Sequence, residues 1–349
     1  MKHSERIQPR ILDKKEFIML TSSSPILVTG VAGFIGYSLA SHLLKNGYLI
    51  IGIDNLNDYY DVTLKHARLE NLKSFSNFKF YQANIAERSQ MQQIWELHPE
   101  IMHIVNLAAQ AGVRYSLINP FAYIEANIMG HIVMLELARH RKGFKHFIYA
   151  SSSSVYGGNT KLPFSVEDRC ETPVSLYAAT KKADELMTQS YAHLYRIPST
   201  GLRFFTVYGP WGRPDMAVFL FTKAIVNDQP IQVFNYGEMK RDFTYIDDIV
   251  KGIVGALNSP PSNETALPPH KVYNLGNNIS EKLLNFIHYI EDSLGKKAIL
   301  KMLPLQAGDV QESLADITAS ERDLNYSPTT PISEGIPKFI KWYKEYYKI

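Results

Sequence analysis

The sequence predicts an α/β protein with a doubly wound parallel sheet and a second, smaller lobe. Apolar runs that resemble strands alternate with amphipathic helical stretches, which is the pattern of a parallel sheet covered on both faces. This alternation fades after about residue 205, where prolines and longer loops enter at "GPWGRPD" and "NSPPSNETALPPH". The chain has 349 residues, 45% of them hydrophobic, so it can bury a large core in two lobes.

Six apolar runs are the predicted strands of the sheet. In chain order they are "ILVTG", "YLIIGID", "FKFYQA", "MHIVNLA", "HFIYASS" and "STGLRFF". Helical segments lie between them. In "FIGYSLASHLLKNG", for example, Ile35, Leu39 and Leu43 recur every four residues, and Gly47 can end the helix.

Composition excludes several classes of protein. The formal charge is only +3, and the lysines and arginines are spread along the chain, so we expect no nucleic-acid partner. Cys170 is the only cysteine, which rules out an intrachain disulfide and argues against a metal site. This cysteine usage fits a reducing cytoplasm.

The first 24 residues are polar and basic, and we expect them to form a disordered extension. Their longest apolar run, from Phe17 to Leu20, is too short for a signal-peptide core or a membrane span. No other stretch is expected to approach membrane length, so the sequence predicts no membrane association.

The first strand runs directly into "TGVAGFIG", which predicts a dinucleotide-binding turn. Gly30, Gly33 and Gly36 permit a tight turn, close approach of a pyrophosphate to backbone N–H groups, and close packing of the helix on the sheet. Asp54 follows Gly36 by 18 residues at the end of the second strand, where its carboxylate can accept hydrogen bonds from a ribose. A carboxylate there disfavours a phosphate on that ribose, so a Rossmann domain that prefers NAD to NADP is predicted.

The segments "YASSSSVYG" and "SLYAATKKADELM" supply candidates for catalysis. Ser152 ends the fifth strand and Tyr177 opens the following helix, so both would face the nicotinamide. A tyrosine has an ordinary pKa of about 10 and is a poor base at neutral pH unless a cation lies beside it. Lys181, one helical turn along, is such a cation.

At this point the chain resembles the extended short-chain dehydrogenases/reductases and, among them, the UDP-glucuronate 4-epimerases. The resemblance covers roughly residues 25 to 320. It rests on the blocks "GVAGFIG", "DNLNDYYD", "LAAQAGVRYS", "YASSSSVYG", "SLYAATKKADELM", "TGLRFFTVYGPWGRPDMA" and "RDFTYIDDIV". It implies interconversion of UDP-glucuronate and UDP-galacturonate through a 4-keto sugar, with NAD reduced and reoxidised in each turnover.

The resemblance also implies roles for individual residues. Tyr177 would be the base, Lys181 its electrostatic partner and a ribose ligand, and Ser152 the third member. The expected NAD contacts are Gly30, Gly33, Phe34, Ile35, Gly36, Asp54, Asn55, Asn84, Ile85, Ala108, Tyr177 and Lys181. Matching positions imply UDP contacts from Phe234 near the uracil, from Arg241 and from Asp309.

Two positions depart from the family pattern. Asn106 stands where histidine is usual, and Asn84 stands where an aspartate usually touches adenine. An asparagine oxygen still accepts a hydrogen bond from an amino group, so we expect NAD to bind.

The implied domain division is an NAD-binding domain over residues 25–204, which also receives roughly 239–277. A UDP-sugar-binding lobe is implied over residues 205–238 and 278–349. The family also implies a homodimer formed through two long helices.

A 4-keto uronic acid is a β-keto acid and readily loses carbon dioxide, so an epimerase must restrain the sugar carboxylate. Ser153, Ser154 and Thr206 are the predicted hydroxyl donors for this purpose, and Arg213 in "PWGRPD" is predicted to approach the phosphates or the sugar. No metal is expected in the site.

Four alternative functions remain open from the sequence. A UDP-glucose/UDP-galactose 4-epimerase would use the same base and cofactor, and a UDP-glucuronate decarboxylase shares the substrate and first step. A 4,6-dehydratase would need an acid pair where this chain has Ser153 and Ser154. A non-enzymatic NAD-sensing protein would usually lack Tyr177 or Lys181, and this chain has both.

Overall fold

The computed structural model describes residues 24–305 and 310–349. The predicted N-terminal extension therefore falls almost wholly outside the described residues. Asp309 lies outside them as well.

A seven-stranded parallel sheet forms the centre of the larger lobe, and it confirms the predicted fold class. Its strands are β1 (Ile26–Thr29), β2 (Ile50–Asp54), β3 (Phe78–Gln82), β4 (His103–Asn106), β5 (His146–Ser152), β6 (Ser199–Phe204) and β10 (His270–Leu275). Their order across the sheet is β10-β6-β5-β4-β1-β2-β3. The strand order reverses between β1 and β4, and ligands of such sheets bind at the carboxyl ends of the strands at this point.

Helices cover both faces of this sheet. They are α1 (Phe34–Lys45), α2 (Val62–Lys73), α3 (Arg88–Leu97), α4 (Pro120–Tyr123), α5 (Gly130–His140), α6 (Leu176–Tyr195) and α8 (Ile246–Leu257). A π-helical segment, Ile124–Met129, joins α4 to α5. Short 3-10 turns occur at Arg114–Leu117 and Ser153–Tyr156.

Among the described residues the core forms two apolar clusters on opposite faces of the main sheet, and the cluster that contains Val28 continues into the smaller lobe. Adjacent strand residues point to opposite faces, and Leu27 accordingly belongs to one cluster and Val28 to the other. Helix α1 buries Leu39 and Leu43 in the second of these, as the four-residue spacing predicts. The helix ends at Lys45, two residues before Gly47, which has a φ of 81°.

In the described part of the chain, the smaller lobe contains two short sheets and three helices. The elements are β7 (Thr206–Tyr208), α7 (Ala217–Val226), β8 (Ile231–Val233), β9 (Lys240–Tyr245), β11 (Ser280–Lys282), α9 (Leu283–Leu294), β12 (Leu300–Met302) and α11 (Ile332–Tyr347). Helix α10 (Thr318–Leu324) packs on α8 and β10 of the larger lobe. One sheet has the order β11-β9-β7 and the other pairs β12 with β8. Between β9 and β11 the chain returns to the larger lobe, where α8 packs on α1 and β10 extends the main sheet.

All six predicted runs form strands. The seventh strand, β10, was not among them, because "HKVYNL" follows the proline-rich loop instead of an alternating helix.

One expectation about membrane length is wrong. Among the described residues, the helical run Pro120–His140 is long and apolar enough, by length and composition, to cross a membrane. Half of its most apolar window is buried inside the protein, and its α5 part packs on α6 and β4. The buried half of the run thus packs in the core, whereas Phe121, Ile124 and Met129 are exposed.

Candidate active site

A cavity of about 420 Å³ opens at the carboxyl ends of the strands, where β1 and β4 meet. It brings together most of the residues predicted for cofactor, catalysis and sugar. The predicted residues that line it are Gly30, Gly33, Phe34, Ile35, Gly36, Asp54, Asn55, Asn84, Ile85, Ala108, Ser152, Ser153, Ser154, Tyr177, Lys181, Thr206 and Arg213.

The glycine turn leads into an uncapped helix N-terminus. Gly30 has a φ of 68°, and a Cβ there would lie 2.7 Å from the backbone nitrogen of Ala108. At Gly36 a Cβ would lie 2.1 Å from the Gly30 oxygen, so only glycine lets α1 approach the turn this closely. No side chain caps α1, and Gly33, Phe34 and Ile35 line the cavity. These first-turn N–H groups fit the pyrophosphate of a dinucleotide.

Asp54 lies at the end of β2 with only 8% of its surface exposed. Its two carboxylate oxygens accept hydrogen bonds from the backbone nitrogens of Ala32, at 3.0 Å, and Leu56, at 2.9 Å. A carboxylate has about four acceptor positions. Asp54 therefore keeps acceptor capacity for a ribose, and its orientation is fixed before any ligand binds.

The two asparagines that depart from the family pattern occupy different positions. Asn84 lines the cavity; its amide nitrogen donates to Glu125 at 2.8 Å, and its oxygen accepts from the backbone nitrogen of Ala86 at 3.0 Å. Asn106 is buried behind the cavity wall and accepts a 2.6 Å hydrogen bond from the hydroxyl of Thr29.

Ser152, Tyr177 and Lys181 reach the cavity from β5 and α6. Ser175 caps α6 by accepting a hydrogen bond from the backbone nitrogen of Ala178 at 3.1 Å, which places Tyr177 in the first turn. The Tyr177 ring packs edge-on against Tyr123, with centroids 6.0 Å apart. The Lys181 ammonium donates to the carbonyl oxygen of Ala150 at 3.0 Å.

The serine cluster divides into different environments. Ser151 also lines the cavity, but its hydroxyl donates to the buried Glu185 carboxylate at 2.7 Å. Ser152 accepts a hydrogen bond from the backbone nitrogen of Ser154 at 3.1 Å, which begins the short 3-10 turn. Ser153, Ser154 and Thr206 all line the cavity, and their contact with a sugar carboxylate stays a prediction.

Arg213 is held in place by a carboxylate that sequence reasoning missed. Its guanidinium makes a two-point ion pair with Asp215, with distances of 3.0 and 2.5 Å, and Tyr59 donates to the same carboxylate at 3.0 Å. Burial opposes the charge of Arg213, but Asp215 raises its pKa above the ordinary value. The side chain is therefore a fixed cation at the cavity wall.

Two residues predicted to contact UDP do not line this cavity. Phe234 lies in the smaller lobe, where the Arg114 guanidinium sits 5.0 Å from its ring centroid. Arg241, in β9, donates to the backbone oxygens of Lys240 and Gln311 at 2.8 and 3.1 Å. Asp309 lies outside the described residues, so the UDP contacts stay predictions.

The cavity also has polar lining residues that the sequence did not single out, including Asn57, Tyr59, Lys65 and Gln110. Lys65 reaches in from α2 and donates to the backbone and side-chain oxygens of Asn57 at 2.6 and 2.7 Å. Three of these four residues lie in the blocks "DNLNDYYD" and "LAAQAGVRYS", and the resemblance of these blocks to the family could have identified them as site residues.

Residues 26–276 match the NAD dependent epimerase/dehydratase family. The chain is 50% identical to the protein CapI of Staphylococcus aureus over 335 residues, covering 93% of this chain and 99% of that protein. It is 46% identical to a probable UDP-glucuronate 4-epimerase of Rhizobium meliloti, covering 92% and 97% of the two chains.

A solved structure with the same fold is the UDP-glucuronic acid 4-epimerase of Bacillus cereus in complex with UDP-glucuronic acid and NAD. It superposes with a TM-score of 0.83 at 36% identity, covering 93% of this chain and all of that one.

Proposed function

Because this chain belongs to the NAD dependent epimerase/dehydratase family, we propose that it is an NAD-dependent UDP-glucuronate 4-epimerase. One observation carries the proposal: the glycine turn, Asp54, Ser152, Tyr177 and Lys181 line the same cavity as the hydroxyl side chains predicted for the sugar carboxylate. The activity named for the Rhizobium meliloti relative and for the Bacillus cereus structure supports the same substrate.

The first-turn N–H groups of α1 would hold the pyrophosphate of NAD, and Asp54 would accept hydrogen bonds from the adenosine ribose. Bound NAD supplies a hydride acceptor at carbon 4 of the sugar and a donor for its return. Tyr177 takes the proton of the 4-hydroxyl, while Ser152 donates a hydrogen bond to the same oxygen. Lys181 stabilises the tyrosinate by its charge. After the sugar turns about its diphosphate link, Tyr177 returns the proton to the new 4-hydroxyl.

Retention of the carboxylate distinguishes an epimerase from a decarboxylase. The 4-keto sugar loses carbon dioxide fastest when its carboxylate bond stands perpendicular to the carbonyl plane. Ser153, Ser154 and Thr206 hold the carboxylate away from that angle by hydrogen bonding. The Arg213 cation, fixed by Asp215, binds a phosphate or the sugar.

We assign the two lobes to NAD and to the UDP-sugar in the way the family implies. Residues 25–204 with roughly 239–277 bind NAD, and 205–238 with 278–349 bind the UDP-sugar, with Phe234, Arg241 and Asp309 as contacts of UDP. The return of α8 and β10 to the main sheet supports the first assignment.

The active protein is a homodimer that works in the cytoplasm. Large apolar side chains are exposed on α6 and on the run from the first 3-10 turn to α5, which supports pairing of these helices between two copies. They are Leu117, Ile118, Phe121, Ile124, Met129, Leu186 and Leu194.

The experiment is incubation of the purified protein with UDP-glucuronate, followed by chromatographic separation of the nucleotide sugars. We expect UDP-galacturonate, with no net consumption of NAD. UDP-glucose serves as the comparison substrate. Formation of UDP-galactose from UDP-glucose, without UDP-galacturonate from UDP-glucuronate, would identify a neutral-sugar epimerase. Release of carbon dioxide and a UDP-pentose from UDP-glucuronate would identify a decarboxylase.

A further inference from the structure

Arg68, on helix α2, is a buried cation that is not among the residues lining the cavity. Its guanidinium donates hydrogen bonds to two segments that are far apart in the sequence. Nη1 donates to the backbone oxygen of Ala32 and to the hydroxyl of Tyr60, both at 2.8 Å. Nη2 donates to the backbone oxygens of Trp211 and Gly212 at 2.6 and 3.2 Å. The proposed reaction gives Arg68 no role.

These four contacts are unusual for a buried charge. Burying a cation is costly unless a carboxylate pairs with it, and all four acceptors of Arg68 are carbonyl or hydroxyl oxygens. An apolar side chain would be less costly to bury, but it would leave the same backbone oxygens without a donor. Arginine differs from both alternatives in its planar fork, whose two terminal nitrogens reach two segments at once. The two segments therefore define what Arg68 can do.

The first segment is the turn predicted to bind the dinucleotide. Ala32 lies in "TGVAGFIG", between Gly30 and Gly33. Its backbone nitrogen donates to Asp54 at 3.0 Å, and its backbone oxygen accepts from Arg68. Both backbone polar groups of Ala32 are thus engaged, so Arg68 has a fixed position relative to this turn.

The second segment is a tight turn after strand β7. The backbone nitrogen of Gly212 donates to the oxygen of Gly209 at 3.1 Å, and Pro210 and Trp211 lie between them. We call residues 209–212 the Trp211 turn. Trp211 has a φ of 63°, which residues other than glycine rarely adopt, so contacts elsewhere in the protein must hold it there. Arg68 supplies such contacts, because it binds the backbone oxygens of Trp211 and Gly212.

The Trp211 side chain is packed where the two lobes meet. Its ring centroid lies 5.4 Å from that of Tyr37 on α1, in the larger lobe. It lies 5.3 Å from those of both Trp342 and Tyr346 on α11, in the smaller lobe. The Trp211 turn is therefore held through its side chain as well as through its backbone.

Arg213 is the next residue of the chain after the Trp211 turn, and it lines the cavity. Its guanidinium is paired with Asp215, which also accepts a hydrogen bond from Tyr59 of the larger lobe. The backbone just before Arg213 is thus held by Arg68, and the side chain of Arg213 is held by Asp215. Both attachments lead back to the larger lobe.

We propose that Arg68 is a positioning residue for the binding of the sugar nucleotide. It fixes the Trp211 turn against the dinucleotide turn and thereby sets the place of Arg213 at the cavity wall. This inference rests on the proposed function, which gives Arg213 a phosphate or the sugar as its ligand.

A double-mutant cycle tests whether Arg68 acts through Arg213. The measured quantity is the dissociation constant of UDP-glucuronate, by titration calorimetry, on NAD-loaded protein in which Tyr177→Phe prevents turnover. Arg68→Lys keeps the positive charge, but its compact ammonium cannot span both segments as the guanidinium does. We expect Arg213→Ala to weaken binding by at least about tenfold and Arg68→Lys by about threefold or more. The double variant should bind no more weakly than Arg213→Ala alone.

Lys73→Ala, an exposed change on the same helix, is the matched control and should bind as the Tyr177→Phe parent does. If the two factors multiply in the double variant, Arg68 acts independently of Arg213 and the proposal is wrong. Binding of Arg68→Lys at the affinity of the parent would overturn it as well.

A second measurement needs no sugar nucleotide. Hydrogen exchange, read by mass spectrometry in peptides that cover residues 209–216, is compared between NAD-loaded wild type and Arg68→Lys. We expect exchange there to be about tenfold faster or more in the variant, while Lys73→Ala matches wild type. Unchanged exchange in folded Arg68→Lys would show that Arg68 does not hold the turn, whatever the protein binds. Faster exchange in a protein that does not bind UDP-glucuronate would contradict the proposed function and support the positioning role of Arg68.

Arg68→Gln is the second variant, for use if Arg68→Lys does not fold. It removes the buried charge, which is the group most costly to leave unpaired. Its single amide nitrogen reaches only one of the two segments. The same two measurements apply to it with the same expected outcomes, so either variant decides the proposal.

Discussion

The Lys181 ammonium donates a hydrogen bond to the carbonyl oxygen of Ala150, 3.0 Å away on strand β5. This contact ties the second turn of α6 to the carboxyl end of the strand that finishes at Ser152. The first turn of the same helix contains Tyr177. One hydrogen bond therefore sets the relative position of the three residues proposed for catalysis, and Lys181 has a structural role besides its electrostatic one.

Replacing Tyr177 by phenylalanine should abolish turnover without unfolding the protein. The ring and its edge-on contact with Tyr123 are retained, whereas the oxygen that accepts the proton is lost. We expect kcat to fall by about two to four orders of magnitude, with bound NAD retained. Initial rates with UDP-glucuronate and the NAD content of the purified variant are the measurements. A rate close to wild type would assign the base to another group.

The cofactor preference should follow from Asp54. Its carboxylate is held by two backbone N–H groups and cannot turn away, so the extra phosphate of NADP would meet a fixed negative charge. We expect binding of NAD to be at least about tenfold tighter than that of NADP.

Titration calorimetry on protein stripped of nucleotide would compare the two cofactors. Asp54→Asn is the informative variant, since it keeps the shape and should narrow the preference. Equal affinity for the two cofactors in the wild type would remove Asp54 from the ribose site.

Local sequence patterns predicted the elements that position this site. Each of the six apolar runs became a strand, and the glycine turn, Asp54, Ser152 and Tyr177 stand at strand ends or the helix start where the pattern placed them. The contacts that hold the charged side chains were not predictable in this way. Asp215 meets Tyr59 across 156 positions of sequence, and such pairs depend on how distant segments pack.

The pairing of Lys181 with Asp184 was missed for a different reason. The two residues are three apart on one helix, which is a common spacing for exposed ion pairs. The burial of both side chains, which depends on how the helix packs, distinguishes this pair from an exposed one.

The buried pair of Glu185 and Arg203 should carry a large, pH-dependent share of stability. The guanidinium contacts both carboxylate oxygens, at 2.8 and 2.9 Å, and both side chains are buried. Glu185→Gln leaves the Arg203 charge uncompensated, so we expect a loss of about 3 kcal/mol of unfolding free energy at neutral pH. Lys182→Ala removes a partly exposed partner of the same carboxylate and should cost less than about 1 kcal/mol.

The pH dependence of this loss has a definite sign. The Glu185 carboxyl has its pKa held at about 2, below the ordinary 4.5, so its contribution is present above 4.5 and is lost as the pH falls toward 2. Urea unfolding of wild type and Glu185→Gln should therefore converge as the pH falls toward about 3. An equal difference in unfolding free energy between the two proteins at neutral pH and at about pH 3 would contradict this account.

We expect the distinction between epimerase and decarboxylase to depend on Thr206. It begins β7 at the cavity wall, on the same lining as Ser153 and Ser154. A hydrogen bond from a neutral donor to a charged carboxylate contributes about 1.5–3 kcal/mol, so losing one should change the ratio of hydride return to decarboxylation by roughly tenfold or more. Thr206→Val removes the donor with little change of shape.

With UDP-glucuronate as substrate, the wild-type protein should form UDP-galacturonate as almost its only product. The Thr206→Val variant should in addition release carbon dioxide and a UDP-pentose or its 4-keto form. Carbon dioxide from substrate labelled in the carboxyl group, counted against UDP-galacturonate formed, gives the partition ratio directly. Thr206→Ser keeps a hydroxyl and is the matched control, expected to stay close to wild type. If valine and threonine give the same ratio at similar rates, Thr206 does not restrain the carboxylate, and that role would have to belong to Ser153, Ser154 or Arg213.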